Sequence, residues 1–267
     1  MSAQPGYTST PDARGGLAIT ADLAHPFYFD HGLGHLPGLL LLDMSLHAIG
    51  QAAREDGSGA RFTAFDIDFR AITALTPAVR AEVDADGASG GWRCRLTQEG
   101  RLRAETRAVV ASGPSTPAAI APDGSDFTPM DRRFVRKADP ANVFIGSAVQ
   151  DAWAIRPSGS CSSSLQVEAD GAYSPVYLVE CFLQLCRTRR PEAFATEQGL
   201  PASREILVMA GGRLPAAVPA HAQLTLVLDE PSDPTLPPPR RGAIRRFARL
   251  LSGETSLGAF YCDAIAF

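Results

Sequence analysis

"FDHGLGHLPGLLLLDMSLHAIGQ" (residues 29–51) is the stretch on which the fold turns. It holds three of the chain's five histidines, His31, His35 and His47, and two acids, Asp30 and Asp43, with His25 just upstream. After its Gly- and His-rich start the run is almost wholly apolar, which predicts a helix from about Pro37 to Arg54 that Gly57 helps to stop. Asp43, His47, Gln51 and Arg54 interrupt it. At 100° per residue they fall within roughly 80° of one another, as one polar stripe. A helix apolar on its remaining sides has to be covered nearly all round.

Outward from this helix the signals change period. In "FDIDFRAI" Phe65, Ile67 and Phe69 alternate with Asp66, Asp68 and Arg70, a strand with one buried and one wet face. "WRCRL", a turn ending at Gly100, and "RLRAETRAVV" form a hairpin. Residues 112–129 are rich in Pro, Ser, Gly and Ala without periodicity, so they read as a linker between a first unit, 1–111, and a second, 130–267.

The second unit repeats the grammar of the first. "NVFIG" and "SSLQVE" read as strands, "ADGAYSP" as a loop, and a helix follows over about 175–188 with Pro175 at its first position. "REILVMA", "QLTLVLD", "AIRRFARLL" and "LGAFYCDAIAF" complete the strands, and "PSDPTLPPPRRG" (231–242) is a long loop that is mobile or covers something. In the second helix Glu180, Gln184 and Arg187 repeat the stripe, at one constant offset from Asp43 and His47. Two such helices at matching places imply an internal duplication. A curved antiparallel sheet wrapped round each apolar helix solves the covering problem, so the fold expected is α+β, a double hotdog.

Composition narrows the function. A formal net charge of −4, with the basic residues spread along the chain, speaks against a nucleic-acid partner. No apolar run approaches the ~18 residues that span a bilayer, so no membrane partner is expected. The start of the chain lacks a signal-peptide pattern. The five cysteines form no CxxC pair and read as reduced core thiols of a cytoplasmic protein, without structural zinc. No cofactor is implied, and a metal held by His31, His35 and Asp43 is disfavoured by their loop spacing.

The opening stretch resembles the second repeat of the A-factor biosynthesis (AfsA-like) hotdog proteins, typically FDHPxDHVPGMxLxEAARQAA, through Phe29, Asp30, His31, His35, Pro37, Gly38 and Leu41. "FVRKADPANVFIG" is similar to that family's VHKxDPxNVFL through Val135, Lys137, Asp139, Pro140, Asn142, Val143 and Phe144. The helix with Glu180 and Gln184 is similar to DPLLLAETLRQA. The resemblance implies condensation of a β-ketoacyl carrier-protein thioester with dihydroxyacetone phosphate. Leu46 and Leu183 stand where that family has the arginine of its E-x-x-R-Q frame, and a phosphorylated acceptor wants such a guanidinium. Arg54, Arg187 and the basic residues of 240–246 are the available replacements.

A more distant resemblance is to the hotdog hydroxyacyl-thioester dehydratases, where a loop histidine works with an acid on the partner's helix. On that plan His31 and His35 serve Glu180 and Gln184 across the two units. Asp43 and His47 belong to an idle half, because the second unit's loop carries no histidine. Histidine exchanges protons near pH 7. Burial on an apolar helix is expected to raise the pKa of Glu180 and make it the acid, and the backbone N–H groups near Gly38 are expected to polarise a carbonyl. The function expected is acid/base chemistry, by dehydration, isomerisation or cyclisation, on an acyl thioester in polyketide-type secondary metabolism. The partner expected is an acyl carrier protein or an acyl-thioester substrate, and a homodimer of double hotdogs is possible. The alternatives are the AfsA-like acyl transfer and a non-catalytic acyl-binding hotdog.

Overall fold

The computed structural model describes residues 6–30, 32–57, 61–86, 91–111, 127–149, 152–156, 171–188, 205–220, 222–230 and 236–266. The first part of the chain gives β1 (Tyr7–Pro11), β2 (Leu17–Ala21), α1 (Gly38–Glu55), β3 (Arg61–Phe69), β4 (Val79–Asp86), β5 (Gly91–Gln98) and β6 (Arg101–Ala111). The second gives α2 (Arg132–Val135), a 3-10 turn (Pro140–Asn142), β7 (Ile145–Val149), β8 (Ala152–Ile155), α3 (Pro175–Thr188), β9 (Glu205–Arg213), β10 (Thr225–Asp229), β11 (Ile244–Ser252) and β12 (Thr255–Ala266).

The strands make one antiparallel sheet in the order β1-β2-β4-β5-β6-β3-β9-β12-β11-β10-β8-β7. Read from its two ends, the sheet shows the same order twice, with β3 and β9 paired at the centre. Each half wraps its own helix. α1 packs on β3 to β6, α3 on β7, β9 and β12, and the helices touch each other. The fold is therefore the double hotdog expected. Its core joins the inward residues of both halves, including Ile49, Phe65 and Ile67 of the first and Phe182, Leu185 and Phe260 of the second. Phe182 of α3 stacks on Phe260 of β12, ring centroids 6.1 Å apart.

α1 starts one residue later than expected, and α3 matches its expected span. The hairpin of β5 and β6 turns at Glu99 and Gly100, both at positive φ. Other details differ from the pattern. β1 pairs with β2 although only Tyr7 in it is buried, so an edge strand with little apolar signal went unread, as did the short β8 and α2. "NVFIG" enters β7 only at Ile145, since Asn142 closes the 3-10 turn. The expected strand "SSLQVE", most of the expected linker and His31 lie outside the described residues; Pro129, at the linker's end, bridges to Gly146.

The outer face of β3 is also not wet as expected. Asp68 is buried between Arg70 and Arg240. Leu236, from the long Pro-rich loop, packs on a small outer cluster of Met209, Phe247 and Tyr261. In the same loop Arg240 N donates to Asp263 Oδ2 at 3.1 Å. Residues 236–240 of that loop thus lie on the back of the sheet where the two halves join.

Candidate active site

The loop from His25 to Leu36 crosses from the first half to the second. Asn142 Nδ2 donates to the carbonyl of Pro26 at 2.8 Å, and Lys137 Nζ sits 5.7 Å from the ring centroid of Phe27. Asp30 lies 3.9 Å from Lys137 Nζ and accepts from Asn142 Nδ2 at 3.4 Å. The loop thus meets the second unit through Asp30, a contact other than the pairing of His31 and His35 with Glu180 expected from the sequence. His35 is exposed, and nothing in the structure brings it to Glu180.

Glu180 is 2% exposed on α3. Its Oε1 takes Lys137 Nζ at 3.0 Å, Arg187 Nη1 at 3.2 Å and Gln184 Nε2 at 3.1 Å. This corrects the expectation of a raised pKa. Burial does push the Glu180 carboxyl up, but the charges of Lys137 and Arg187 and the hydrogen bonds of Lys137 and Gln184 outweigh it, and the pKa falls to about 2. Glu180 is a held carboxylate at physiological pH and has no proton to give. Gln184 is occupied as well: it donates to Asn142 O at 2.7 Å and its Oε1 accepts from Phe144 N at 2.8 Å. The two side chains fix the 137–144 segment, and that segment fixes the loop.

Asp43 has different surroundings. It is half-buried on α1, and its Oδ2 accepts a 2.6 Å hydrogen bond from the hydroxyl of Tyr28, a buried residue of the crossing loop. Burial and the neighbouring Asp43 charge raise the Tyr28 pKa well above its ordinary value, so the phenol remains a donor. His25 lies beside the Tyr28 ring at 5.2 Å between centroids. His47, one turn along α1, meets the edge of Tyr7 at 5.6 Å, and burial followed by the Arg54 charge lowers its pKa.

A row of rings connects the two acids: Tyr28 against Phe27, Phe27 on Phe144, and Phe144 against Tyr177 of α3. Tyr28 and Lys137 carry this geometry, and of the two only Lys137 belongs to the family-like motif of the sequence. Tyr28 had a readable signal, a tyrosine two residues before the histidine motif in a loop that must lie on an apolar helix.

α1 begins at Gly38 behind Pro37, with no side-chain cap on its first N–H groups. A Cβ at Gly38 would sit 2.9 Å from the Phe69 ring, so glycine lets β3 close on the helix start. The replacement arginines are mostly engaged: Arg187 with Glu180, Arg240 with Asp68, Arg245 with Asp263 at 2.7 Å, and Arg246 with Glu205 at 2.7 Å. Cys94, Cys181, Cys186 and Cys262 are buried thiols, with Cys186 and Cys262 sulfurs 3.9 Å apart. Cys161 is outside the described residues. Among the described residues no helix is long and apolar enough to cross a membrane, and no group of three or more His, Cys, Asp or Glu is placed to hold a metal ion.

Fold and site together define a double-hotdog protein with two unlike helix acids. Solved structures of the same architecture agree over nearly the whole chain. An acyl-ACP thioesterase from Bacteroides thetaiotaomicron shares 11% identity at a TM-score of 0.56, over 99% of this chain and 100% of the other. The bifunctional dehydratase-cyclase domain in ambruticin biosynthesis shares 18% at 0.52, over 100% and 99%. The tesB protein of Mycobacterium avium subspecies paratuberculosis shares 12% at 0.52, over 88% of each chain. At such identities the likeness is one of fold. No protein-family model and no curated protein sequence matches the chain.

Proposed function

We propose that this chain is an acid/base enzyme acting on an acyl thioester, with Asp43 as its proton-accepting group. The observation that carries this reading is the Tyr28–Asp43 pair: a half-buried carboxylate on an apolar helix, oriented by a 2.6 Å hydrogen bond from the loop that bears the histidines. Thioesterases and a dehydratase-cyclase domain on the same fold lend it support. Glu180 and Gln184 brace the site from the second half and hold the loop in place through Lys137 and Asn142.

In a dehydration, Asp43 takes the proton on the carbon next to the thioester carbonyl. The electron pair left behind forms the carbon–carbon double bond, and the β-hydroxyl departs with a proton from a loop imidazolium, His31 or His35, as water. The uncapped N–H groups at Gly38 hold the negative charge that builds on the carbonyl oxygen. A positioned general base of this kind contributes about 10²–10⁴ in rate. Proton removal without loss of water gives isomerisation, and the same carboxylate acting on a hydroxyl of the chain gives cyclisation. Hydrolysis is a second reading, favoured by the thioesterases among the structural relatives, with water as the group that Asp43 activates.

Mass spectrometry of an acyl carrier protein loaded with β-hydroxyacyl or β-ketoacyl chains tests the proposal. Loss of one water from the bound chain supports dehydration, and loss of the whole acyl group to water supports hydrolysis. Release only with dihydroxyacetone phosphate present supports the AfsA-like transfer. An unchanged carrier with bound protein leaves an acyl-binding hotdog and sinks the enzymatic reading.

A further inference from the structure

β1 stands at one end of the strand order and pairs with β2, and in it only Tyr7 is buried. An edge strand so short contributes little stability by itself. Its start nevertheless touches two neighbours of Asp43. Tyr7 is 4% exposed and meets His47 edge to face at 5.6 Å, one turn along α1 from Asp43. Gly6, just before it, is also buried and lies on the Tyr28 ring. A Cβ at Gly6 would stand 2.5 Å from Tyr28 Cδ2, 2.7 Å from Cε2 and 3.3 Å from Cγ of His25. No side chain tolerates that approach, so glycine alone lets the backbone rest against the ring.

The contact is held from several sides. Asp22 N donates to Gly6 O at 2.8 Å, which ties the start of β1 to the residue after β2. His25 N donates to Asp22 O at 3.1 Å, and Phe27 N donates to His25 Nδ1 at 3.3 Å. The turn that grips Gly6 therefore also leads into the crossing loop. On its other flanks the Tyr28 ring meets Phe27 at 4.9 Å and His25 at 5.2 Å between centroids. The hydroxyl at its tip then reaches Asp43 Oδ2 at 2.6 Å. A close-packed ring boxed in this way slides only by lengthening that bond.

We propose that Gly6 and Tyr7 are positioning residues of the candidate active site: with Tyr7 anchored on His47, the Gly6 backbone presses the Tyr28 ring into place and sets its hydroxyl on Asp43. This rests on Asp43 being the base of the acyl-thioester reaction proposed above, and it adds what orients that base from outside α1. It also accounts for an edge strand that buries one side chain. β1 brings a backbone surface to a ring, and Tyr7 keeps it there.

Nuclear magnetic resonance of protein with tyrosine isotope-labelled at Cζ reads this clamp without turnover. The Tyr28 signal is the one missing in Tyr28→Phe. Burial, then the Asp43 charge and hydrogen bond, hold the Tyr28 pKa well above its ordinary value. Gly6→Ala and Tyr7→Ser are expected to move the signal toward that of a free phenol and to start its titration about one pH unit lower or more. Thr10→Ala, at an exposed place on the same strand, is expected to leave it where it is. On carrier-bound β-hydroxyacyl substrate, Gly6→Ala is expected to lower kcat by about tenfold and to change KM by less than about threefold. In a Tyr28→Phe background the same change should cost less than about twofold, because its route to Asp43 is already cut. Tyr7→Phe keeps the ring and is expected to recover most of what Tyr7→Ser loses.

A Tyr28 signal that Gly6→Ala and Tyr7→Ser both leave in place overturns the proposal. So does a rate loss that simply adds to that of Tyr28→Phe, since it marks a general loosening of the fold. If Gly6→Ala melts early, Tyr7→Ser and its rescue by Tyr7→Phe carry the test. A moved signal with no turnover in the parent keeps the clamp and removes the acyl-thioester reading. Turnover in the parent that the variants do not alter keeps that reading and removes the positioning role.

Discussion

The two central helices carry acids at equivalent positions, and the structure treats them oppositely. Glu180 is sealed on α3 and drawn to Lys137, Arg187 and Gln184. Asp43 on α1 keeps partial exposure and accepts a short bond from a tyrosine. What separates them is the segment in front of each half. Ahead of β7 the α2 and 3-10 segment brings Lys137 and Asn142 onto α3, whereas Asp43 on α1 meets Tyr28 of the aromatic loop. Duplicated topology thus yields one helix acid used as a brace and one, Asp43, that is the base in the proposed reaction.

The largest effect that can break this contrast is on rate. Asp43→Asn is expected to lower kcat/KM by about 10²–10⁴ while shifting thermal stability little. If Glu180→Gln instead removed turnover and Asp43→Asn did not, the roles assigned here would be reversed.

Next comes stability. Lys137→Met leaves a buried carboxylate with less compensation and is expected to cost about 3–5 kcal/mol in urea unfolding. Lys137→Met combined with Glu180→Leu should recover most of that loss, because no charge then stays stranded. The same pair sets a pH dependence. The folded pKa of Glu180 lies near 2, below its usual 4.5, so its contribution is complete above about 4.5 and fades as pH falls toward 2. Acid-unfolding curves of the parent and of the double variant should separate in that window.

Tyr28→Phe sharpens the other side of the contrast. Loss of a hydrogen bond to a charged group is worth about 1.5–3 kcal/mol, so kcat should fall by about tenfold or more. The acid limb of the pH–rate profile should also move upward, since the remaining carboxylate is less well stabilised; a purely structural role would leave that limb in place.

The smallest effect belongs to His47. Its folded pKa is depressed, so the unfolded chain takes up this proton first and stability declines slightly as pH drops below about 6.5. His47→Gln should flatten that slope by less than about 1 kcal/mol, seen in melts at pH 5 and 7.

Much of this molecule was legible in the chain. Periodicity located both helices and the long strands of each half, because covering an apolar helix demands that alternation. The matched stripes of Asp43/His47 and Glu180/Gln184 announce the duplication in the sequence itself. The expected crossing pairs His31 and His35 with Glu180; the structure shows Asp30 of that loop beside Lys137, while His31 lies outside the described residues. The short β1, β8 and α2 were not legible, since each is fixed by its neighbours rather than by its own pattern.

That Glu180 is held as a carboxylate was decided only in three dimensions. By sequence Glu180 is a carboxyl in an apolar helix, and desolvation alone would raise its pKa. Lys137 is 43 positions away from it in the chain, and Tyr28 is 15 from Asp43. Local pattern can place an acid on a helix face. Its charge state depends on which distant residues the fold brings to within about 3 Å, where Coulomb energy and hydrogen bonding outweigh burial.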